Sequence, residues 1–151
     1  MNDSLNIKIL PFRAEDQDQV KNLILAGLGE HWGFIDPTKN PDLNDISSSY
    51  ANATFLVAWC ESRIAGTGAL VPSSEGVGRI VRMSVAADMR RRGIGKLLLH
   101  RLCERARSAG YRRVILGTEA AWREVIEFYK ACGFHVTHLD DSDACMALDL
   151  V

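Results

Sequence analysis

The chain opens with an alternation: Leu5, Ile7 and Ile9 are apolar with polar Asn6 and Lys8 between them, which predicts a strand over Leu5–Leu10 that Pro11 ends. The period then changes. Val20, Leu23, Ile24 and Leu28 fall on one face of a helix over Ala14–His31, behind an acidic first turn of Glu15 and Asp16; Gly27, Gly29 and Gly33 are expected to loosen its end. Asn40-Pro41-Asp42 offers a cap followed by proline at the first helical position, so a short helix to about Tyr50 is predicted. Strands follow at Thr54–Trp59, Ile64–Val71 and Val77–Val85, separated by turn residues at Glu61-Ser62 and Pro72–Gly76. A polar loop, Ala86–Arg92, leads into a helix to about Ala109 that carries Ile94, Leu98, Leu102 and Ala106 on one face, with Gly110 as its C-cap. Arg113–Leu116 reads as a buried strand. Ala121–Cys132 reads as a helix with Val125, Phe128, Tyr129 and Cys132 on its apolar face. Phe134–Leu139 and Ala144–Leu150 form a terminal hairpin across Asp140–Asp143. The order β-α-α-β-β-β-α-β-α-β-β is that of a mixed α/β (α+β) domain built around one sheet.

At 151 residues the chain has the length of a single domain spanning 1–151. A composition 47% hydrophobic and 25% charged is globular rather than disordered. The longest strictly apolar run, Phe55–Cys60, is far short of the ~18 residues a membrane span needs, so no membrane partner is expected. Met1-Asn2-Asp3-Ser4 lacks a basic region before an apolar core, so no signal peptide is expected. Cys60, Cys103, Cys132 and Cys145 have no framework spacing and read as reduced thiols of a cytoplasmic protein. Cys103 and Cys132 read as packing residues. His135 and His138, three apart on a strand, are expected on opposite faces, which speaks against a shared metal.

The net charge of −1 conceals an uneven distribution. Residues 79–113 hold eleven Lys/Arg against Asp88 and Glu104, a net of +9, while the segments on either side are each at −5. A basic middle between acidic flanks suggests a polyanion held centrally, against the plainer reading of a solvated basic helix face. Nucleic acid is a poor candidate for that anion: Tyr111 is the only aromatic among the arginines of 79–113.

Within the basic segment, Arg90-Arg91-Arg92-Gly93-Ile94-Gly95-Lys96 joins the fourth strand to the long helix. Glycines let backbone wrap a ligand closely, and a helix N-terminus directs free N–H groups and a partial positive charge at it. The dinucleotide pattern G-x-G-x-x-G would need glycine at Leu98, and the P-loop would need glycine at Arg90 and a hydroxyl at Leu97, so this phosphate cradle is of another kind.

Arg90-x-x-Gly93-x-Gly95 resembles the Q/R-x-x-G-x-G/A motif of the GNAT N-acetyltransferase superfamily, and Glu127-Phe128-Tyr129-Lys130-Ala131-Cys132-Gly133-Phe134 is similar to the family's helix ending F/L-Y-x-x-x-G-F. The motifs cover residues 79–134; residues 1–78 match by element order. The resemblance implies acetyl-CoA as cosubstrate and no metal. It implies that the fourth and fifth strands part, that the pantetheine arm pairs with the backbone of Met83, Ser84 and Val85, and that the pyrophosphate rests on the amides of Arg90, Arg91, Arg92, Gly93, Ile94, Gly95 and Lys96. Phe128, in the same motif as the tyrosine, is implied to border the coenzyme. Where many members carry asparagine seven residues before that tyrosine, this chain has Trp122, whose indole is able to stack or donate its N–H.

Acetyl transfer to an amine needs a neutral nucleophile, a donor to the oxyanion and a hydrogen bond or proton for the departing thiolate. By resemblance the Val85 amide supplies the second and Tyr129 the third. From reference values of ~10 and ~8.5, full proton transfer from tyrosine to a thiolate is uphill by about 2 kcal/mol, so Tyr129 is expected to donate a hydrogen bond. Val77–Val85 holds no acid, so the base is sought among Glu30, His31, Asp36 and Glu119, with a water chain as the alternative; the reference imidazole value of ~6.5 suits a base near neutral pH. The expected acceptor is a primary amine of a small molecule or peptide, attacked directly in a ternary complex. Acids near the acceptor pocket would favour a small cationic amine. A non-catalytic acyl-CoA-binding sensor on the same fold is the competing reading, and the sequence leaves room for a homodimer.

Overall fold

A computed structural model describes residues 6–33 and 39–151, with the backbone alone for His31 and Trp32. In chain order the elements are β1 (Ile7–Pro11), α1 (Gln17–Trp32), α2 (Ile46–Ser49), β2 (Thr54–Cys60), β3 (Arg63–Ser74), β4 (Val77–Val85), α3 (Ile94–Ser108), β5 (Arg113–Glu119), α4 (Arg123–Ala131), β6 (His135–Leu139) and β7 (Asp143–Asp149). Single 3₁₀ turns at Ala14–Asp16, Pro41–Asn44 and Ala87–Met89 precede α1, α2 and the loop to α3. The element order is the one the hydrophobic pattern predicts, and no helix among the described residues is long and apolar enough to cross a membrane.

The seven strands form one sheet in the order β1-β2-β3-β4-β5-β7-β6. Every neighbouring pair is antiparallel except β4 and β5. A parallel pair needs a crossover, and α3 supplies it. Strand alternation divides the core in two. Leu56, Ala58, Ala65 and Leu70 face α3 and α4, where Leu98, Leu99, Leu102 and Ala106 are buried. Phe55, Val57, Ile64 and Ala69 face α1 and α2, with Val20, Ile24 and Ile46. The sheet thus carries helices on both faces.

Four local expectations give way. α1 runs through Gly27 and Gly29 to Trp32 before Gly33, at φ +77°, caps it. Gly27 sits where the helix lies against β4: a Cβ there would be 3.0 Å from Ser84 Oγ. The segment Asn40–Tyr50 is two short pieces rather than one helix. The Asn40 side chain makes no capping bond; its oxygen accepts from Arg82 Nη2 (3.1 Å), and Asp45 caps α2 instead by accepting from the Ser48 N–H. The Gln17 amide fastens the break to α1 by donating to Leu43 O (2.7 Å) and accepting from Ile46 N (2.9 Å). In α4 the buried positions are Ile126 and Tyr129, while Val125, Phe128 and Cys132 are half-buried. On β6 a register shift between Val136 and His138 sets His135 opposite Ala147 and His138 opposite Cys145, so both histidines fall on one face, not two. No group of three potential metal-ligating side chains converges among the described residues.

The contact of α3 with the sheet depends on Gly66 of β3, where a Cβ would lie 2.9 Å from the Ser84 carbonyl oxygen and 3.0 Å from Leu98 Cδ1. A backbone atom cannot yield as a side chain would. Gly66→Ala is therefore expected to destabilise the protein by about 1–3 kcal/mol, the usual cost of overpacking, seen as a lower urea midpoint at unchanged slope.

Candidate functional site

β4 and β5 pair at only three positions, Val77 with Arg113, Gly78 with Val114 and Arg79 with Ile115. Beyond Arg79 each strand keeps its other neighbour. β4 stays on β3 as far as Val85 opposite Gly66, and β5 stays on β7 as far as Glu119 opposite Asp143. The two strands therefore part, and the backbone of β4 from Ile80 to Val85 has no strand partner on its β5 side. Backbone groups at such an edge need water or a ligand. Met83, Ser84 and Val85 are half-buried along it.

The parting coincides with a bulge. The β3–β4 register shifts between Thr67 opposite Ser84 and Ala69 opposite Val81, and Arg82 takes φ +56°. That left-handed conformation costs a non-glycine residue roughly 1–2 kcal/mol. The extra residue changes the phase of β4. Val81 and Arg82 both face α1 and α2, and Met83 turns to the α3 side. The Arg82 guanidinium grips Asp42 through Nη2–Oδ1 (2.6 Å) and Nε–Oδ2 (3.0 Å), and the Tyr50 hydroxyl donates to Asp42 Oδ2 (2.6 Å). Burial alone would raise the Asp42 carboxyl, but hydrogen bonds from Arg82 and Tyr50 outweigh it and hold it below the usual carboxylate range. A lowered folded-state value means that its contribution to stability is present above about pH 4 and fades as pH falls through the folded value. Tyr50 moves the opposite way, raised by burial and by the neighbouring carboxylate.

Below the parted strands lies the loop to α3. Met89 and Ile94 are buried and pin it at both ends, while Arg91, Arg92, Gly93 and Lys96 are exposed. Arg91 (φ +63°) and Gly93 (φ +82°) turn the chain, and the first intrahelical bond runs from Leu97 N–H to Gly93 O (3.0 Å). The amides before Leu97 are those a helix leaves free for an anion. Gly95 faces the parted strands: a Cβ there would sit 3.6 Å from both Phe128 Cζ and Val85 Cγ2. Arg90 turns away from this cradle. Its Nη1 and Nη2 bind the Glu30 carboxylate of α1 at 2.7 and 3.1 Å, and its Nε donates to Val85 O at 3.2 Å. Glu30 and Val85 also line an open cleft of about 350 Å³ between α1 and the end of β4. A second cleft, of about 310 Å³, lies away from the cradle and shares Tyr50 with the Asp42 pair.

From α4, Tyr129 is 7% exposed, its ring between Phe128 and Phe134 at centroid distances of 5.2 and 5.8 Å. Burial, with a smaller contribution from Cys132, pushes its hydroxyl up to about 12. Burial also raises the Cys132 thiol, which the Lys96 ammonium partly counteracts, so α4 and the first turn of α3 are electrostatic neighbours. Cys103 is buried, its thiol pushed up to about 11, an inert packing residue. Trp122 stands at the N-cap of α4 and its carbonyl accepts from Ile126 N–H (3.1 Å).

The structure brings together Met83–Val85, the 90–96 loop and Phe128, with Tyr129 beside Phe128 on α4. Glu30 reaches the loop through Arg90. His31 is on the last turn of α1, its side chain outside the described residues, as is all of Asp36; Glu119 ends β5. Arg82, Asp42 and Tyr50 were not anticipated. The signal for them was an arginine inside the apolar run Ile80-Val81-Arg82-Met83.

The family model for the acetyltransferase (GNAT) family matches residues 19–134. The chain belongs to the GNAT acetyltransferase family. Human N-acetyltransferase 8 is 30% identical over 112 residues, which are 69% of this chain and 49% of that protein. The chain thus spans about half the length of the curated relatives it matches. Among solved structures, an acetyltransferase of the GNAT family from Staphylococcus aureus Mu50 superposes with a TM-score of 0.87 at 23% identity, covering 96% of this chain and 99% of that one. The PaiA N-acetyltransferase of Thermoplasma acidophilum, solved in complex with coenzyme A, superposes with a TM-score of 0.83 at 21% identity, covering 96% and 99%. These likenesses establish the GNAT fold.

Because a Cβ at position 95 meets only ordinary contacts, Gly95→Asp is expected to fold and to place a carboxylate at the anion cradle. Coenzyme A affinity, read by calorimetry, should fall at least tenfold while the melting temperature stays within a few degrees of wild type.

Proposed function

We propose that this protein is an acetyl-CoA-dependent N-acetyltransferase that moves the acetyl group to a primary amine of a small molecule or peptide by direct attack in a ternary complex. The observation that carries this reading is the parting of β4 from β5 next to the free amides of the α3 N-terminus. One feature offers an unpaired backbone edge for the pantetheine amides. The other offers N–H groups and exposed Arg91, Arg92 and Lys96 for phosphates. Chain 1–151 is read as one catalytic domain.

In this reading the neutral acceptor amine attacks the thioester carbonyl: the N–C bond forms as the carbonyl π pair moves to oxygen, the Val85 amide donates to that oxyanion, the nitrogen gives up a proton, and the returning pair breaks the C–S bond and releases the thiolate. Tyr129 faces the departing sulfur. With its hydroxyl at about 12 and a thiol at ~8.5, proton transfer is uphill by about 5 kcal/mol. Tyr129 therefore acts as a hydrogen-bond donor, and burial widens the gap that reference values alone suggest. Glu30, held in two hydrogen bonds by Arg90, fits a loop-positioning role better than that of a base. His31 remains the proposed base, with water relaying the amine proton. Phe128 borders the coenzyme across from Gly95, and Trp122 takes the place of the family asparagine. A thiol-release screen with acetyl-CoA across polyamines, amino acids, aminoglycosides and N-terminal peptides tests the function. Tight coenzyme binding with no amine-dependent release would favour the sensor reading.

Tyr129→Phe keeps the ring packed and removes the donor. kcat should drop by roughly ten- to a thousandfold with KM for acetyl-CoA little changed. Because the hydroxyl stays protonated, the loss should be uniform across pH 6–10, and wild type should show no descending limb assignable to Tyr129 in that range. For a cationic acceptor steered by the acidic flanks, kcat/KM should fall as ionic strength rises from ~0.01 to ~0.15 M, where the Debye length shrinks from about 30 to 8 Å. A salt-independent kcat/KM, or preference for a neutral or anionic acceptor, would contradict the charge argument.

A further inference from the structure

Three non-glycine residues among those described have positive φ, and of these Arg82 alone lies inside a strand. Its strain is fixed from three sides. Thr67, fully buried, donates its hydroxyl to the Arg82 carbonyl at 2.9 Å. Gly68 stands opposite the bulge, where a Cβ would be 2.6 Å from Met83 Sδ. Asp42 takes the guanidinium in two hydrogen bonds, and Asn40 takes a third. Asp42 is itself anchored, by the Tyr50 hydroxyl and by the Gln17 clasp that ties its 3₁₀ turn to α1. Strict alternation after Ile80 would instead direct Arg82 into the apolar layer under α3, an unpaired buried cation that no strand tolerates. The bulge and the ion pair therefore require each other. The bulge turns Arg82 towards Asp42, and Asp42 holds the bulge against its strain.

We propose that Arg82 is a positioning residue of acetyl transfer: through Asp42 it locks the β4 bulge, and the bulge directs the backbone of Met83–Val85 away from β5. This rests on the reading that coenzyme A lies along Met83–Val85. The lock acts on ligand binding through the backbone and touches no ligand itself.

The test uses the full chain, with coenzyme A binding by calorimetry, melting temperature, and amide hydrogen exchange of Met83–Val85 without ligand. Arg82→Ala leaves the bulge strained and unheld. Asp42→Asn keeps the shape and removes the charge. Arg82→Gly removes the side chain but accepts positive φ without strain. Coenzyme A affinity should fall at least tenfold in Arg82→Ala and at least threefold in Asp42→Asn, with faster exchange at Met83–Val85 in both. Arg82→Gly should recover most of what Arg82→Ala loses in both measurements. A lower melting temperature with wild-type affinity and exchange in the folded variants would overturn the proposal, leaving the pair merely structural. Equal losses in Arg82→Gly and Arg82→Ala would also overturn it, because the guanidinium would then contact the ligand. Should Arg82→Ala fail to fold, Asp42→Asn decides: unchanged affinity and exchange refute the lock. Wild-type protein that does not bind coenzyme A would refute the site reading, whereas unchanged exchange refutes the lock whatever the ligand does.

Discussion

Backbone N–H and C=O groups must be paired wherever they leave water, and a sheet meets that demand strand by strand. Here the demand is suspended at one place. β4 and β5 are neighbours for three residues, then each follows its other partner. The rest of the molecule is arranged around keeping that gap open. The crossover α3 starts at the foot of the gap and so brings a helix N-terminus to it. α4 sets Phe128 beside the first turn of α3, and the bulge at Arg82 lies just beyond the last β4–β5 pair. Filling the gap with a third hydrogen-bonding partner is what a thioester ligand with two amides along its arm is suited to do.

Six of the eleven basic residues of 79–113 fall into two sets once their partners are seen. Arg82, Arg90 and Arg113 are committed to Asp42, Glu30 and Asp149. These pairs tie β4, the loop before α3 and β5 to their surroundings, and the more exposed of them contribute little to stability on their own. Arg91, Arg92 and Lys96 remain exposed around the α3 N-terminus. A positive charge surplus in sequence is thus partly scaffolding, and of these six only the second set stands unpaired by a carboxylate at the head of α3.

The order and type of the elements were legible because most carry a clear period and sharp stops: Pro11, Gly76, Gly110 and Gly133 fall at or beside real boundaries. The glycine-bearing loop before α3 and the place of Tyr129 on α4 were legible through local motifs. What failed to show was long-range. Asn40 looks like a cap, but its side chain is taken by Arg82, forty-two residues away. His135 and His138 look divergent until a bulge on β6 realigns them. Glu30 gives no local sign that Arg90, sixty residues on, holds its carboxylate. Bulges and ion pairs across the sheet leave no periodic trace, and the Arg82–Asp42 lock depends on both.

The sheet has two outer rims, and each is unsuited to growth. β1 ends in Pro11, which has no N–H to offer an incoming strand, and β6 is five residues long with a bulge in its middle. Leu10 and Leu139, two of the large apolar side chains most open to solvent, sit on these rims. A flat, regular edge beside either would invite a neighbouring chain to add its own strand. The proline and the bulge deny it a continuous ladder, so the fold tolerates exposed leucines at its margins without offering a template for fibrous stacking.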